Sequence, residues 1–228
     1  MTDDRTDYPE DAWSHLAPLL TPSRRERMLA TAHARTGYVR LVVQDIHNPH
    51  NVSACMRSAD AFGVQDVDVV TLRESFRAST VARGVANWLT IRRWHDVQSC
   101  ADTLKRDGYR IVAGVPRQDA VALHELPLDQ PIAVIFGNEH QGIDPAWLER
   151  IDTPFTIPMV GMVESLNISV CAAITLYQLT RAARAAVPAE RYLLSAQERN
   201  HLLATWSCRQ VTAWPEVLAR LRETPTGR

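Results

Sequence analysis

Short β-branched runs alternate with stretches of helical periodicity through most of this chain, and few architectures accept that order. Residues 38–46 (YVRLVVQDI) are the clearest run, rich enough in apolar residues for a strand covered on both faces. Residues 50–62 follow with Val52, Cys55, Met56, Ala59 and Phe62 on one stripe, the spacing of a helix buried along one side. Further strands are predicted over 67–72, 109–113, 132–136 and 155–157. Helices are predicted over 101–107 (closed by Gly108), 144–150 and 166–186. Strands separated by helices can pair in parallel through helical crossovers, so the order predicts an α/β fold with a mostly parallel sheet. The ends are helical instead: a short helix near 13–20, one over 23–35 capped by Ser23, and two near 195–206 and 215–222.

Composition narrows the class. Hydrophobic residues are 46% and charged residues 22%, which suits a packed core and not a disordered chain. No apolar run approaches the roughly 18 residues of a membrane span. The acidic start, Met1 to Arg5, lacks the basic and apolar regions of a secretion signal. Cys55, Cys100, Cys171 and Cys208 are scattered without a CxxC pair. They are read as reduced thiols of a cytoplasmic protein, and no metal site is expected. His47 and His50 flank Pro49 without a cysteine or carboxylate constellation and are read as polar loop residues.

The net charge of −1 conceals local basic segments. Arg24, Arg25, Arg27, Arg35 and Arg40 face only Glu26 within 24–40. Arg73, Arg77, Arg83, Arg92 and Arg93 face only Glu74 within 73–93, and eight arginines face four glutamates within 181–228. Lys105 is the only lysine. The planar guanidinium suits bidentate phosphate contact, so such segments could hold RNA; ordinary solvated faces would look the same.

The glycines exclude several nucleotide folds. No two of the nine stand closer than the five positions between Gly137 and Gly142, so a GxGxxG dinucleotide turn is impossible. Gly137 and Gly142 have P-loop spacing, but Ile143 and Asp144 stand where Lys and Ser/Thr must meet phosphate and magnesium.

Three stretches carry polar residues in ordered spacing. Asn51-Val52-Ser53-Ala54-Cys55-Met56-Arg57 places Asn51 at a helix start and Ser53 and Arg57 away from the apolar stripe. Taken alone this is equally a capping asparagine and a surface arginine. Residues 132–142 (IAVIFGNEHQG) run from a buried strand into glycine and a polar turn, where parallel sheets gather ligands, though many strand-to-helix loops read alike. Residues 157–173 (IPMVGMVESLNISVCAA) feed Ser165, Asn167 and Ser169 into a helix start followed by small residues.

Together and in this order, the three motifs resemble the SpoU/TrmH family of RNA ribose 2′-O-methyltransferases, in the SPOUT superfamily. The resemblance spans about residues 38–185 and is densest in HNPHNVSACMRSADAFGV, FGNEHQGI and IPMVGMVESLNISVCAAI. Within the family it is greatest to the tRNA guanosine-18 ribose methylases, which also carry basic helical segments beside the core. Glu164 departs from the glutamine usual before Ser-Leu-Asn, and the turn at Asn138, Glu139 and His140 also resembles relatives acting on other RNAs.

The resemblance implies an α/β domain over 38–187 ending in a deep trefoil knot, with an N-terminal arm and helix over 1–37 and a C-terminal helical extension over 188–228. It implies a homodimer and S-adenosylmethionine held by three loops, 113–115, 136–142 and 157–166. Donor contacts fall on Gly114, Phe136, Gly137, Gly142, Ile157, Met159 and Leu166. The catalytic set is Arg57, Asn51, Glu139, Ser165 and Asn167, with Arg24, Arg25, Arg27, Arg181 and Arg184 expected to contact RNA.

Ribose methylation needs the 2′-hydroxyl held about 3–3.5 Å from the methyl, in line with the bond that breaks. By the resemblance, Arg57 occupies the position the family assigns to the base, yet a guanidinium does not ordinarily deprotonate in a protein. Either a substrate phosphate helps it shed a proton, or it stays cationic and stabilises the developing alkoxide. Methylation of ribosomal RNA or another tRNA position, and an inactive RNA-binding knot protein, are the rival readings.

Overall fold

The computed structural model describes residues 2–3, 8–46, 48–72, 84–115, 117–138 and 141–223. Glu139, His47, Arg73, Arg77 and Arg83 therefore lie outside the described residues. The chain forms two compact units, one of Met1–Asp4 with Thr36–Tyr192, the other of Arg5–Arg35 with Leu193–Arg228.

The larger unit is built on one sheet. Its strands are β1 (Thr2–Asp3), β2 (Val39–Gln44), β3 (Asp66–Val70), β4 (Thr90–Trp94), β5 (Arg110–Gly114), β6 (Val121–Ala122), β7 (Ile132–Phe136) and β8 (Thr153–Thr156), in the order β1-β4-β3-β2-β7-β5-β8-β6. Seven of them are parallel and β1 alone runs antiparallel, along β4. The mostly parallel α/β sheet expected from the alternation is thus present. Every residue of β2 and β7 is buried, because helices cover both faces. On one face the helices Pro49–Ala61 and Ile168–Ala186 pack on Leu41, Val43, Val67 and Val134; on the other, Val97–Arg106 and Pro145–Leu148 cover Val42, Val70, Ile111 and Ile135.

Several elements differ from the sequence reading. β4 is not among the expected strands, because Arg92 and Arg93 interrupt the apolar run, and neither are β6 nor the short helix Ala189–Tyr192 among the expected elements. The helix expected over 101–107 begins at Val97, where the Asp96 carboxylate accepts the Ser99 N–H at 2.6 Å. Ser23 is not a cap: Thr21 accepts the Arg24 N–H and Pro22 opens the helix Pro22–Ala34.

Arg40, counted above among basic surface residues, lies inside the larger unit. Its Nε stands 2.7 Å from the Asp68 carboxylate, with Asp66 at 3.6 Å and the Tyr109 ring centroid 5.2 Å away. Trp94 Nε1–H donates to the other Asp68 oxygen at 2.7 Å. Burial pushes the Asp68 pKa up, opposed by Arg40 and the Trp94 hydrogen bond. Such a pair adds little over an apolar replacement, but half of it is costly. Arg40→Leu is expected to lose about 3–5 kcal/mol in urea unfolding, and Arg40→Leu with Asp68→Leu distinctly less.

The smaller unit joins helices from both ends of the chain: Ala12–Leu16, Pro22–Ala34, Ala196–Gln210 and Trp214–Glu223. Its core holds Ala12, Leu16, Ala204, Cys208 and Leu218, and Arg222 Nε–H donates to Asp11 at 2.9 Å. Ser195 and Glu198 form a capping box at the start of Ala196–Gln210. Arg35, also counted as basic surface, is buried with its guanidinium 5.6 Å from the Trp206 ring centroid. All four cysteines are free, and burial raises the pKa of Cys100, Cys171 and Cys208, the last to about 11. Among the described residues no helix is long and apolar enough to cross a membrane.

Candidate active site

Neighbouring parallel strands end together, so β2, β7, β5 and β8 release their loops along one edge of the sheet, after Gln44, Phe136, Gly114 and Thr156. This carboxyl edge is where open parallel sheets bind ligands. The three expected donor loops leave from adjacent strands there, and β2 feeds the helix of the first motif.

That helix, α3 in chain order after Ala12–Leu16 (α1) and Pro22–Ala34 (α2), spans Pro49–Ala61. Asn48 caps it by accepting the His50 N–H at 2.9 Å, so Asn51 stands in the first turn and is not the cap. Val52, Cys55, Met56 and Ala59 are buried as their spacing predicts. Ser53 is buried too, against the expectation that it would face away from the core. The helix is covered by Ile168–Ala186 as well as by the sheet, which widens its buried face. Arg57 is exposed, and its side chain makes no hydrogen bond or ion pair with the described residues.

The turn after β7 is closed by a reciprocal pair: Asn138 N–H donates to Gly142 O at 2.7 Å, and Gly142 N–H donates to Asn138 O at 2.9 Å. Gly142 sits at φ +70°, in the left-handed region. Gly137 is buried against this turn, and a Cβ there would lie 2.3 Å from Gly142 O. The glycine expected to make room for a ligand is needed first by the protein's own backbone. At Gly114, which is exposed, a Cβ would meet only the Phe155 ring, at 3.5 Å.

In the third motif Asn167 caps the long helix Ile168–Ala186, its Oδ1 accepting from Ser169 N–H at 2.8 Å and from Ser169 Oγ–H at 2.6 Å. Its Nδ2–H donates to Asn51 Oδ1 at 3.4 Å, across 116 positions of sequence. This contact brings the first and third motifs together. Ser165, Glu164 and Met159 are exposed, Ile157 and Leu166 are partly buried, and Phe136 is buried. Arg57 and Ser165 are not drawn into the Asn51–Asn167 contact. Arg24, Arg25 and Arg27 are exposed on the smaller unit; Arg181 and Arg184 are exposed on the long helix, Arg184 over the Tyr192 ring.

Sequence reasoning missed Gln44 and Asp45, which bond to the turn after β7. A polar pair closing an apolar strand was the only available signal.

Comparison with known proteins agrees with this layout. The model of the SpoU rRNA Methylase family matches residues 38–177, more than half of the chain. A tRNA (guanosine(18)-2′-O)-methyltransferase of Thermus thermophilus is 32% identical over 187 residues, 82% of this chain and 96% of the relative. One of Borreliella burgdorferi is 30% identical over 188 residues, 82% and 85% of the respective chains. The crystal structure of the A. aeolicus TrmH/SpoU tRNA modifying enzyme superposes with a TM-score of 0.75 at 29% identity, covering 83% of this chain and 97% of the other. The chain belongs to the SpoU methylase family, and so to the RNA 2′-O-methyltransferases.

Proposed function

We propose that this chain transfers a methyl group from S-adenosylmethionine to the ribose 2′-oxygen of guanosine 18 in tRNA, acting as a homodimer whose donor loops form a trefoil knot. The observation that carries the reading is the Asn51–Asn167 contact, which joins two distant polar motifs beside the donor loops at the carboxyl edge of a parallel sheet. The target nucleotide is taken from the relatives' activity.

The residues present suit the donor. Exposed backbone at Gly114 and Gly142, with no side chain in the way, and the apolar side chains of Ile157, Met159 and Leu166 offer an adenosine close approach and flat apolar faces. When bound, the donor supplies an electrophilic methyl on a sulfonium. The guanidinium fork of Arg57 fixes a substrate phosphate and steadies the 2′-oxygen as charge develops, while the hydroxyl proton passes to that phosphate or to water. Asn51, Ser165 and Asn167 orient the ribose; Glu139, expected from the sequence in the same set, lies outside the described residues.

The dimer is supported by an apolar stripe, Val170, Ile174 and Tyr177, on the long helix, beside a loop in which Val160 and Met162 are fully exposed. Apolar patches of this kind mark interaction surfaces. The test is transfer of labelled methyl to tRNA transcripts and, separately, to ribosomal RNA, with sedimentation at micromolar concentration. Label at guanosine 18, absent from a 2′-deoxyguanosine 18 transcript, and a dimer are expected. Label only in ribosomal RNA, or none, overturns the reading.

RNA affinity is expected to reside partly in the exposed Arg24, Arg25 and Arg27. Their replacement by alanine should weaken tRNA binding and reduce the salt slope by up to about 0.9 for every phosphate no longer neutralised. An unchanged slope would make them ordinary solvated surface. The same measurement on Arg181 and Arg184 assigns the share of the long helix.

A further inference from the structure

The geometry points to Gln44 and Asp45 as positioning residues that set the turn after β7 relative to the helix carrying Asn51 and Arg57. The inference rests on the reading of the chain as a donor-dependent RNA methyltransferase. Gln44 is the buried last residue of β2, and its Oε1 accepts the Asp144 N–H at 3.0 Å. The carbonyl of Asp45 accepts from Asn138 Nδ2–H at 2.7 Å, while Asn138 Oδ1 accepts the Gln141 N–H at 3.0 Å. The Asn138 amide thus bridges the end of β2 to the turn it braces.

Asp45 also ties in β3. Its carboxylate accepts the Leu72 N–H at 2.8 Å, and its own N–H donates to Val70 O at 3.0 Å. To make these bonds it stands at φ +43°, one of only two non-glycine residues with positive φ among those described. Aspartate and asparagine tolerate this conformation better than other side chains, but it remains unfavourable. Strain of this kind concentrates at working sites.

The sheet does not need these bonds. β2 and β7 are already held in register from Val39–Ile132 to Val43–Phe136. What Gln44 and Asp45 fix is the backbone beyond the strand ends: Asn138 and Asp144 directly, Gln141 through the Asn138 amide, and Leu72 after β3. An in-line displacement is sensitive to small misplacements between such groups, because the reacting atoms must align.

The test uses the full-length protein with Gln44→Met, Asp45→Gly and Asp45→Asn, measuring S-adenosylmethionine affinity by calorimetry, kcat, KM for tRNA and the thermal midpoint. Gln44→Met removes the acceptor of the Asp144 N–H, and Asp45→Gly removes the carboxylate that accepts from Leu72 and so holds in place the carbonyl on which Asn138 rests, without forcing a left-handed side chain. Each is expected to weaken donor binding and lower kcat by about 3- to 10-fold, the weight of one hydrogen bond, with KM for tRNA nearly unchanged. Asp45→Asn retains an acceptor and the tolerance for φ +43°, and should restore both constants. A lowered thermal midpoint with unaltered donor affinity and kcat in the folded protein overturns the inference, as does an Asp45→Asn no better than Asp45→Gly. Wild-type protein that binds no donor overturns the methyltransferase reading itself. Normal wild-type binding that is undiminished in Gln44→Met and Asp45→Gly overturns only the positioning role.

Discussion

Arg57→Ala is expected to remove methyl transfer, lowering kcat by about 10²- to 10³-fold, the loss typical of deleting one group that stabilises developing negative charge. Folding and donor affinity should stay close to wild type, because Arg57 is exposed while Val52, Cys55, Met56 and Ala59 hold its helix to the core. Arg57→Lys separates two roles. A lysine loses its proton near 10.4 but offers a compact charge in place of a fork. If proton removal limits the rate, the lysine variant should retain activity that rises with pH. If bidentate positioning dominates, it should be nearly as inactive as alanine at every pH, and this is the outcome expected. Wild-type turnover by Arg57→Ala on tRNA would exclude Arg57 from the chemistry.

Gly137→Val should reduce donor affinity by about 5- to 150-fold, measured by calorimetry on protein whose fold is verified by circular dichroism. The cause lies in the protein's own backbone. A Cβ at residue 137 would lie 2.3 Å from Gly142 O and 2.6 Å from Ile143 N, so the turn closed by Asn138 and Gly142 must shift. Overpacking of this kind costs about 1–3 kcal/mol, the range that gives the fold-change above when it acts on the bound state. Gly137→Ala should show most of the effect, since the first carbon already collides. Gly114→Ala is the complementary probe, because its Cβ would meet only the edge of Phe155 at 3.5 Å. Weakened donor affinity there reports contact with the ligand and not a displaced turn. Unchanged affinity in a folded Gly137→Val protein would remove this turn from the donor site.

Much of the site is legible without the fold. Arg57 and Asn51 share a helix and Asn167 stands at the start of another, so periodicity alone places them on defined elements, although the caps themselves, Asn48 and Asn167, come only from the structure. Ser53 departs from its expected exposure for a physical reason: a stripe drawn for one partner surface understates burial when a second helix also covers α3. Arg40 and Arg35 mislead in the opposite sense. An arginine in a cluster of charges looks solvated, and only a partner such as Asp68, 28 positions away in sequence, permits its burial.

Local chemistry was therefore enough to settle the alternation of strands and helices, the mostly parallel sheet, a long helix beginning near residue 166 and the identity of the polar motifs. These depend on neighbours within a few residues, where side-chain spacing and backbone preference act directly. Strand order, the meeting of Asn51 with Asn167, the clamp of Gln44 and Asp45 on the turn after β7, and the joining of both chain ends in one helical unit came from the folded state. Each of these is a contact between segments far apart in sequence. Such contacts form because buried apolar surface and paired polar groups offset the entropy of closing long loops, a balance that no local pattern contains.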